Sequence, residues 1–215
     1  MKKLTIAKLD IPSPSLERVS DFLDQEGTKT SIETVNWNEF PYQPDVTFAM
    51  GYDETHIFLK FYVKEQYIRA METQPNGNVW EDSCCEFFCA FDEKGYYNLE
   101  TNCIGTQLLG FGPSKESRER FSAEVIHSIE KTSTLGRETF EPQRGNFDYQ
   151  LTMIIPASAY REHPNLTFTK GMTFKANFYK CGDKTPEPHF VSWNPIEIEQ
   201  PNFHRPDFFG EVELG

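Results

Sequence analysis

Ser83-Cys84-Cys85-Glu86-Phe87-Phe88-Cys89-Ala90-Phe91, then Asp92-Glu93-Lys94-Gly95, then Tyr96-Tyr97-Asn98-Leu99-Glu100-Thr101-Asn102-Cys103-Ile104 reads as two β-strands and their hairpin connection. Successive side chains of a strand point to opposite faces. On the first strand that puts Cys85, Phe87, Cys89 and Phe91 opposite Cys84, Glu86 and Phe88. On the second it puts Tyr97, Leu99, Thr101 and Cys103 opposite Asn98, Glu100 and Asn102. If the two strands pair, Glu86 shares a polar face with Glu100 and Asn102, and the other face is apolar.

The same pattern recurs on both sides of the hairpin. Val46 to Gly51, His56 to Val63, Phe121 to Ile129, Tyr149 to Ile155 and Phe174 to Cys181 read as further strands, and Gly210 to Leu214 as a closing one. Asp53-Glu54 looks like a second hairpin connection. Lys175, Asn177 and Tyr179 form another polar and aromatic row, opposite Phe174, Ala176 and Phe178. Ser13-Pro14-Ser15 followed by Leu16, Val19, Phe22 and Leu23 predicts a short capped amphipathic helix. Pro156 to Tyr160 predicts a single helical turn, and the polar stretch Arg137 to Asn146 a long loop. Short strands are many and helix is scarce, so an all-β fold follows, an antiparallel β-sandwich of immunoglobulin or jelly-roll type with one or two short helices. No repeat or low-complexity linker interrupts residues 1–215, which read as a single domain.

Composition narrows the partners. The chain has 215 residues, a formal charge of −12 and 14% aromatic residues. An acidic surface repels phosphate, which argues against nucleic acid or an anionic membrane and leaves a neutral or cationic ligand. No apolar run approaches the roughly 20 residues of a membrane-spanning helix. Lys8 and Asp10 interrupt the start of the chain before an apolar signal region can form, so the protein stays in the cell unless a signal has been trimmed. Five cysteines, Cys84, Cys85, Cys89, Cys103 and Cys181, are too few and too oddly spaced for a disulfide framework, and they lean towards a reducing compartment. They lack the CxxC spacing of a zinc site.

Trp80-Glu81-Asp82-Ser83 leads into the first hairpin strand, and Ser192-Trp193-Asn194-Pro195 lies in a proline-bounded loop far downstream. Indole faces stack on the C–H faces of a pyranose while carboxylates and amides bond its hydroxyls, so this combination predicts a sugar-binding cleft. On that reading Trp80 and Trp193 face one another across a gap of about 7–8 Å, twice a carbon–carbon packing distance. Glu86, Glu100 or Asn102 then opens onto the gap, with Asn177 on a neighbouring polar row. Trp37 has no motif around it and should be packed away. The competing readings are that both indoles are core residues and that the Asn and Glu rows simply face water.

Trp80 to Phe88, Tyr97 to Gly105, Ala176-Asn177-Phe178-Tyr179, Trp193-Asn194-Pro195 and Phe203-His204-Arg205-Pro206-Asp207-Phe208-Phe209-Gly210 together resemble the family 9 carbohydrate-binding modules, in order over about residues 46–214. The likeness is to the stand-alone branch of the Bacteroidetes. It implies a β-sandwich related to the DOMON fold that clamps the terminal sugar of a plant-type saccharide such as xylan between two tryptophans. It also implies a non-catalytic role in polysaccharide catabolism alongside glycoside hydrolases. Glu86 then corresponds to a hydrogen-bonding glutamate, and Glu100 and Asn102 to a charged residue and an asparagine on the next strand. The xylanase-attached members carry arginine where this chain has Glu100, so a donor is exchanged for an acceptor. Those members bind structural calcium, for which Asp53, Glu54, Asp92 and Glu93 are the loop carboxylates on offer.

Two other classes fit some of the same residues. Glu86 and Glu100 on adjacent strands meet the distance of a glycoside hydrolase pair. Haem binding, as in the wider DOMON group, would draw on Met50, Met71, Met153, Met172, His127, His163, His189 and His204. His204 and Arg205 either reach a ligand or, with Arg205 paired to Asp207, pin the closing strand.

Overall fold

The computed structural model describes residues 1–215 as fourteen strands, two helices and three 3₁₀ turns. The chain begins with β1 (Lys3–Lys8), α1 (Leu16–Gln25), β2 (Thr28–Ser31), β3 (Thr34–Val35), β4 (Asp45–Tyr52) and β5 (His56–Ala70). A 3₁₀ turn at Val79–Glu81 leads into β6 (Cys84–Asp92), β7 (Gly95–Asn102), β8 (Gln107–Gly112) and β9 (Glu119–Arg120). Then come α2 (Ala123–Ser128), β10 (Glu130–Ser133), β11 (Phe140–Pro156), β12 (Thr173–Cys181), β13 (Phe190–Ser192) and β14 (Gly210–Leu214). The all-β class holds, and no helix is long and apolar enough to cross a membrane.

Two sheets face one another. One runs β10-β11-β5-β4, with β2 on β4; the other runs β14-β12-β6-β7-β8-β9, with β13 and β3 branching from β12. All of these pairings are antiparallel. The exception is β1, which lies parallel to both its neighbours: Lys3 to Ile6 pair with β14, and Ala7 and Lys8 pair with β4. One strand thus belongs to both sheets. Between them lies the main core, where Phe48 stacks on Phe178 at 3.8 Å between ring centres and Phe178 on Phe87 at 5.0 Å. These are the inward rows that the period-two pattern marks on β4, β6 and β12.

The helix before β2 forms where its pattern places it. Ser15 caps it by accepting a bond from Arg18 N, and Val19 and Leu23 are buried against Ala49, Phe58 and Ile154. A 3₁₀ turn occupies Ala157–Ala159, and the 6–7 hairpin forms in the expected register, Glu86 opposite Glu100.

Strands β1, β2, β9, β10 and β13 lie outside those expected, and three further stretches differ from expectation. Ala123–Ser128, inside the stretch read as a strand, is helical: Val125, Ile126 and Ile129 are buried while His127 is exposed, the spacing of a helix face. Phe140 to Asn146, inside the predicted loop, is the outer half of β11. It pairs with β5 through two register shifts and buries almost nothing, so no apolar period marks it. Gln107–Gly112 was assigned to no element; Leu108 and Leu109 are each buried, on opposite faces, and a strand covered on both faces does not alternate.

Candidate functional site

The outward face of the 6–7 hairpin does not meet water. Trp37 and the irregular segment after β13 fold over it, so Ile196, Phe203 and Phe209 pack on Cys84, Phe88, Tyr96 and Tyr179. The Asn and Glu rows therefore lie beneath a second, smaller core, which is why they carry hydrogen-bonding groups of fixed geometry instead of lysine and serine. Within this covered face a cavity of about 170 Å³ remains. Trp80, Phe190, Phe203 and His204 wall it, Glu86 and Glu100 form its inner end, and Arg118 lies beside them.

Trp80 is half-buried on the 3₁₀ turn preceding β6, and its carbonyl accepts from Asp183 N at 3.1 Å. No other aromatic ring stacks on the indole, while the Arg120 guanidinium lies 5.9 Å from its centre. Phe203 is held by stacking on Tyr179 at 4.2 Å, with the rings 9° apart.

Glu86 and Glu100 are 3% and 2% exposed, directly opposed on neighbouring strands. Glu86 Oε1 accepts from Cys181 Sγ at 3.1 Å, and Glu100 Oε1 from Asn98 Nδ2 at 2.9 Å. Arg118 Nη1 is 3.9 Å from Glu100 and within 3.0 Å of both ring nitrogens of His204. Burial, and then the charge of Glu100, push the Glu86 carboxyl well above the usual range. Burial raises Glu100 too, against the pull of Arg118. Burial and then Arg118 push His204 down to about 3, so its ring is neutral and hydrogen-bonds Tyr96 OH at 2.9 Å. Lys115 and Asp183, both exposed, stand at the rim.

The structure brings only part of the expected set together. Trp193 is 1% exposed and lies in the main core, edge-on to Phe178 at 5.7 Å and Phe48 at 6.5 Å, with its ring against Gly210. Val191 and Trp193 share the inward face while Ser192 points the other way, so the indole cannot clamp a ligand with Trp80. Asn102 is also buried, on the correct face but braced: its Nδ2 donates to Glu72 O and Asp82 Oδ2, and its Oδ1 accepts from Thr106 N. Asn177 donates to Asn194 O and accepts from Asn194 N, fixing the loop that carries Trp193. Trp37 is packed away as expected, its Nε1 donating to Ile198 O.

The loop carboxylates have local roles. Asp53 Oδ1 accepts from Thr55 N and His56 N in the 4–5 turn. Asp92 accepts from Lys94 N and lies 3.3 Å from His163 Nε2. These oxygens sit in separate turns. Three donors that could share a metal, Cys84, Glu86 and Cys181, lie within 4.8 Å of one another beside the cavity. Burial pushes the Cys84 thiol up to about 12 and Cys181 well above its ordinary value, and within the trio Cys181 Sγ donates to Glu86 Oε1. Met50 and Met153 lie in the main core, on the other side of the sheet from His204. Arg205 pairs with Asp207, Nη2 to Oδ2 at 2.5 Å, at the foot of β14, as the structural reading had it.

Several lining residues carried no sequence signal. Arg118 and Lys115 come from the 8–9 connection, Asp183 from the end of β12, and Phe190 from β13. Beyond Trp80, Glu86 and Glu100, only His204 and Phe203 fell within a quoted motif.

A family model described as Carbohydrate-binding family 9 matches residues 17–214. A solved structure from Bacteroides uniformis ATCC 8492, of a protein proposed to bind carbohydrate, is 40% identical with a TM-score of 0.94, over 100% of this chain and 99% of that one. A family 9 module of Caldicellulosiruptor kristjanssonii, solved with glucose, shares the fold at 11% identity and a TM-score of 0.64, over 100% of this chain and 96% of that one. Its complex with cellotriose gives 11% and 0.63, over 99% and 93%. No curated protein matches the chain.

Proposed function

The chain belongs to carbohydrate-binding family 9, and on that premise we propose that it binds, without cleaving, the terminal sugar of an oligo- or polysaccharide in the cavity under Trp80. The observation that carries this reading is one half-buried indole opening onto the same small space as two buried carboxylates. A pyranose offers an apolar C–H face to the indole and hydroxyls to the carboxyl oxygens. Glu86 Oε2 and Glu100 Oε2 have no hydrogen-bond donor in the protein, and neither is sealed from the cavity. A single tryptophan replaces the expected pair, with Phe190 and Phe203 as the remaining aromatic walls. The volume suits one ring, which favours a chain end over a chain interior.

Glu86 and Glu100 are directly opposed strand residues, whose Cβ atoms lie about 4.5–5.5 Å apart, so their carboxyls come within reach of a glycosidase pair's separation. Both project from one sheet face, however, whereas hydrolysis needs its two carboxyls to flank the scissile bond.

Titration calorimetry with gluco-, xylo- and manno-oligosaccharides tests the reading; glucose and cellotriose come first because proteins of this fold were solved with them. Stacking and a few hydroxyl bonds give about micromolar to millimolar affinity. Trp80→Ala should abolish the heat with little loss of stability. Silence from every sugar would count against binding, and release of nitrophenol from aryl glycosides, lost in Glu86→Gln, would establish cleavage instead.

A further inference from the structure

We propose that the preferred ligand of this cavity is an amino sugar, whose ammonium group sits at the inner end between Glu86 and Glu100. The inference rests on the sugar-binding reading and specifies its ligand class.

The inner end is short of positive charge. Glu86 and Glu100 oppose one another across β6 and β7, on a face that the segment after β13 seals from bulk water. Like charges directly opposite on paired strands repel, and low exposure leaves little solvent to screen them. The one cation within 4 Å of them is Arg118, and it is divided: Nη1 lies 2.6 Å from His204 Nε2 but 3.9 Å from Glu100, while Arg120 acts on Glu100 from further off, beside the Trp80 ring. No ion pair joins Glu86 to any cation of the protein. Its one bonded oxygen accepts from a thiol, a weak donor. His204 cannot supply the charge, because burial and the neighbouring guanidinium keep it neutral.

At the rim the balance is even. Lys115 and Asp183 are both exposed, one of each sign. The two carboxyls at the deep end hold protons more tightly than free glutamates do, and a ligand cation placed there can take the place of those protons. A neutral sugar meets the free oxygens with its hydroxyls but leaves protons as the only relief of the repulsion between the two carboxyls. An ammonium satisfies the same oxygens with up to three donors and supplies the missing charge, and charge-assisted hydrogen bonds are roughly twice as strong as neutral ones. A uronic acid would bring a third carboxylate to a pair that already lacks a partner.

The test is calorimetry on the intact protein with glucosamine, glucose, N-acetylglucosamine and glucuronate, and with glucosamine and glucose oligomers. Glucosamine should bind at least about tenfold tighter than glucose, and glucuronate weakest. If the oligomer of glucosamine exceeds the monomer, the ligand is the end of a de-acetylated chain; if the two are equal, it is the free amino sugar, and both results support the proposal. Glu100→Gln should bring the glucosamine-to-glucose ratio towards one, whatever it does to either affinity. Equal or tighter binding of glucose, N-acetylglucosamine or glucuronate overturns the amino-sugar assignment and leaves sugar binding standing. No binding by any of them removes both.

Discussion

Glu86 and Glu100 owe their behaviour to what covers them. On an open strand face they would be ordinary solvated carboxylates; under Phe203 and the segment around it they are held above their usual pKa, Glu86 well above. A folded-state pKa above the unfolded value makes the native protein bind the extra proton. That contribution is fully present below the unfolded value, 4.5 for glutamate, and is lost as pH rises through the folded value. Glu86→Gln removes the titration while keeping an acceptor for Cys181. Its melting temperature should therefore pull ahead of the wild type as pH rises from acid towards neutral. A difference flat across that range would exclude the mechanism. Trp193 carries the opposite lesson. The motif Ser192-Trp193-Asn194-Pro195 drew attention to the indole as a binding surface, yet the alternation of Val191 and Trp193 against Ser192 and Asn194 already put it on the apolar row. Trp193→Ala should cost about 3–5 kcal/mol by leaving a large cavity in the main core, measured by chemical denaturation.

At the scale of elements, the sequence resolved what one buried face could encode. Strands β4, β5, β6, β7 and β12 alternate because one side meets the main core while the other carries polar groups, some in water and some under the second core, and their register follows. The polar half of β11 buries nothing, β8 buries both sides, and α2 is too short to establish a period, so each was misread or missed. The polar rows are legible, but what covers them is a tertiary event; Phe190, Arg118 and Asp183 arrive from three separate parts of the chain that no local pattern ties together. Asp82, at the end of the 3₁₀ turn bearing Trp80, shows how that turn is fixed to the hairpin. It is fully buried and accepts from Arg69 Nη1, from Met71 N and Glu72 N, and from Asn102 Nδ2. Asp82→Ala strands a guanidinium and several donors at once, a loss of about 3–5 kcal/mol for a buried pair broken on one side. The same change should weaken sugar binding by freeing Trp80, whereas Asn102→Asp, which replaces an amide donor to Asp82 with a second carboxylate, should act in the same direction. Unaltered stability in Asp82→Ala would show that the turn is held by other contacts.

The whole molecule depends on its first strand. β1 is the only strand parallel to its neighbours and the only one paired to both sheets: Lys3 to Ile6 run along β14, and Ala7 and Lys8 run along β4. Backbone bonds extend the seam, from Leu9 N to Tyr52 O, from Glu211 N to Lys2 O and from Gly215 N to Ile6 O. Lys2 N also donates to Asn194 Oδ1, beside the loop that carries Trp193. A strand that changes sheets makes a corner of the sandwich, so its packing couples the two layers. Ile6 is its fully buried member, inside the main core. Ile6→Ala should cost about 2–5 kcal/mol in global stability. Because the joint is shared, the loss should not stay on one side. Amide exchange at Tyr52 in β4 and at Val212 in β14 should quicken together, since opening the seam exposes the ladder of each sheet. Faster exchange confined to β14, with β4 protected as before, would mean that the sheets hold together through side-chain packing alone and that β1 is merely the edge of one of them.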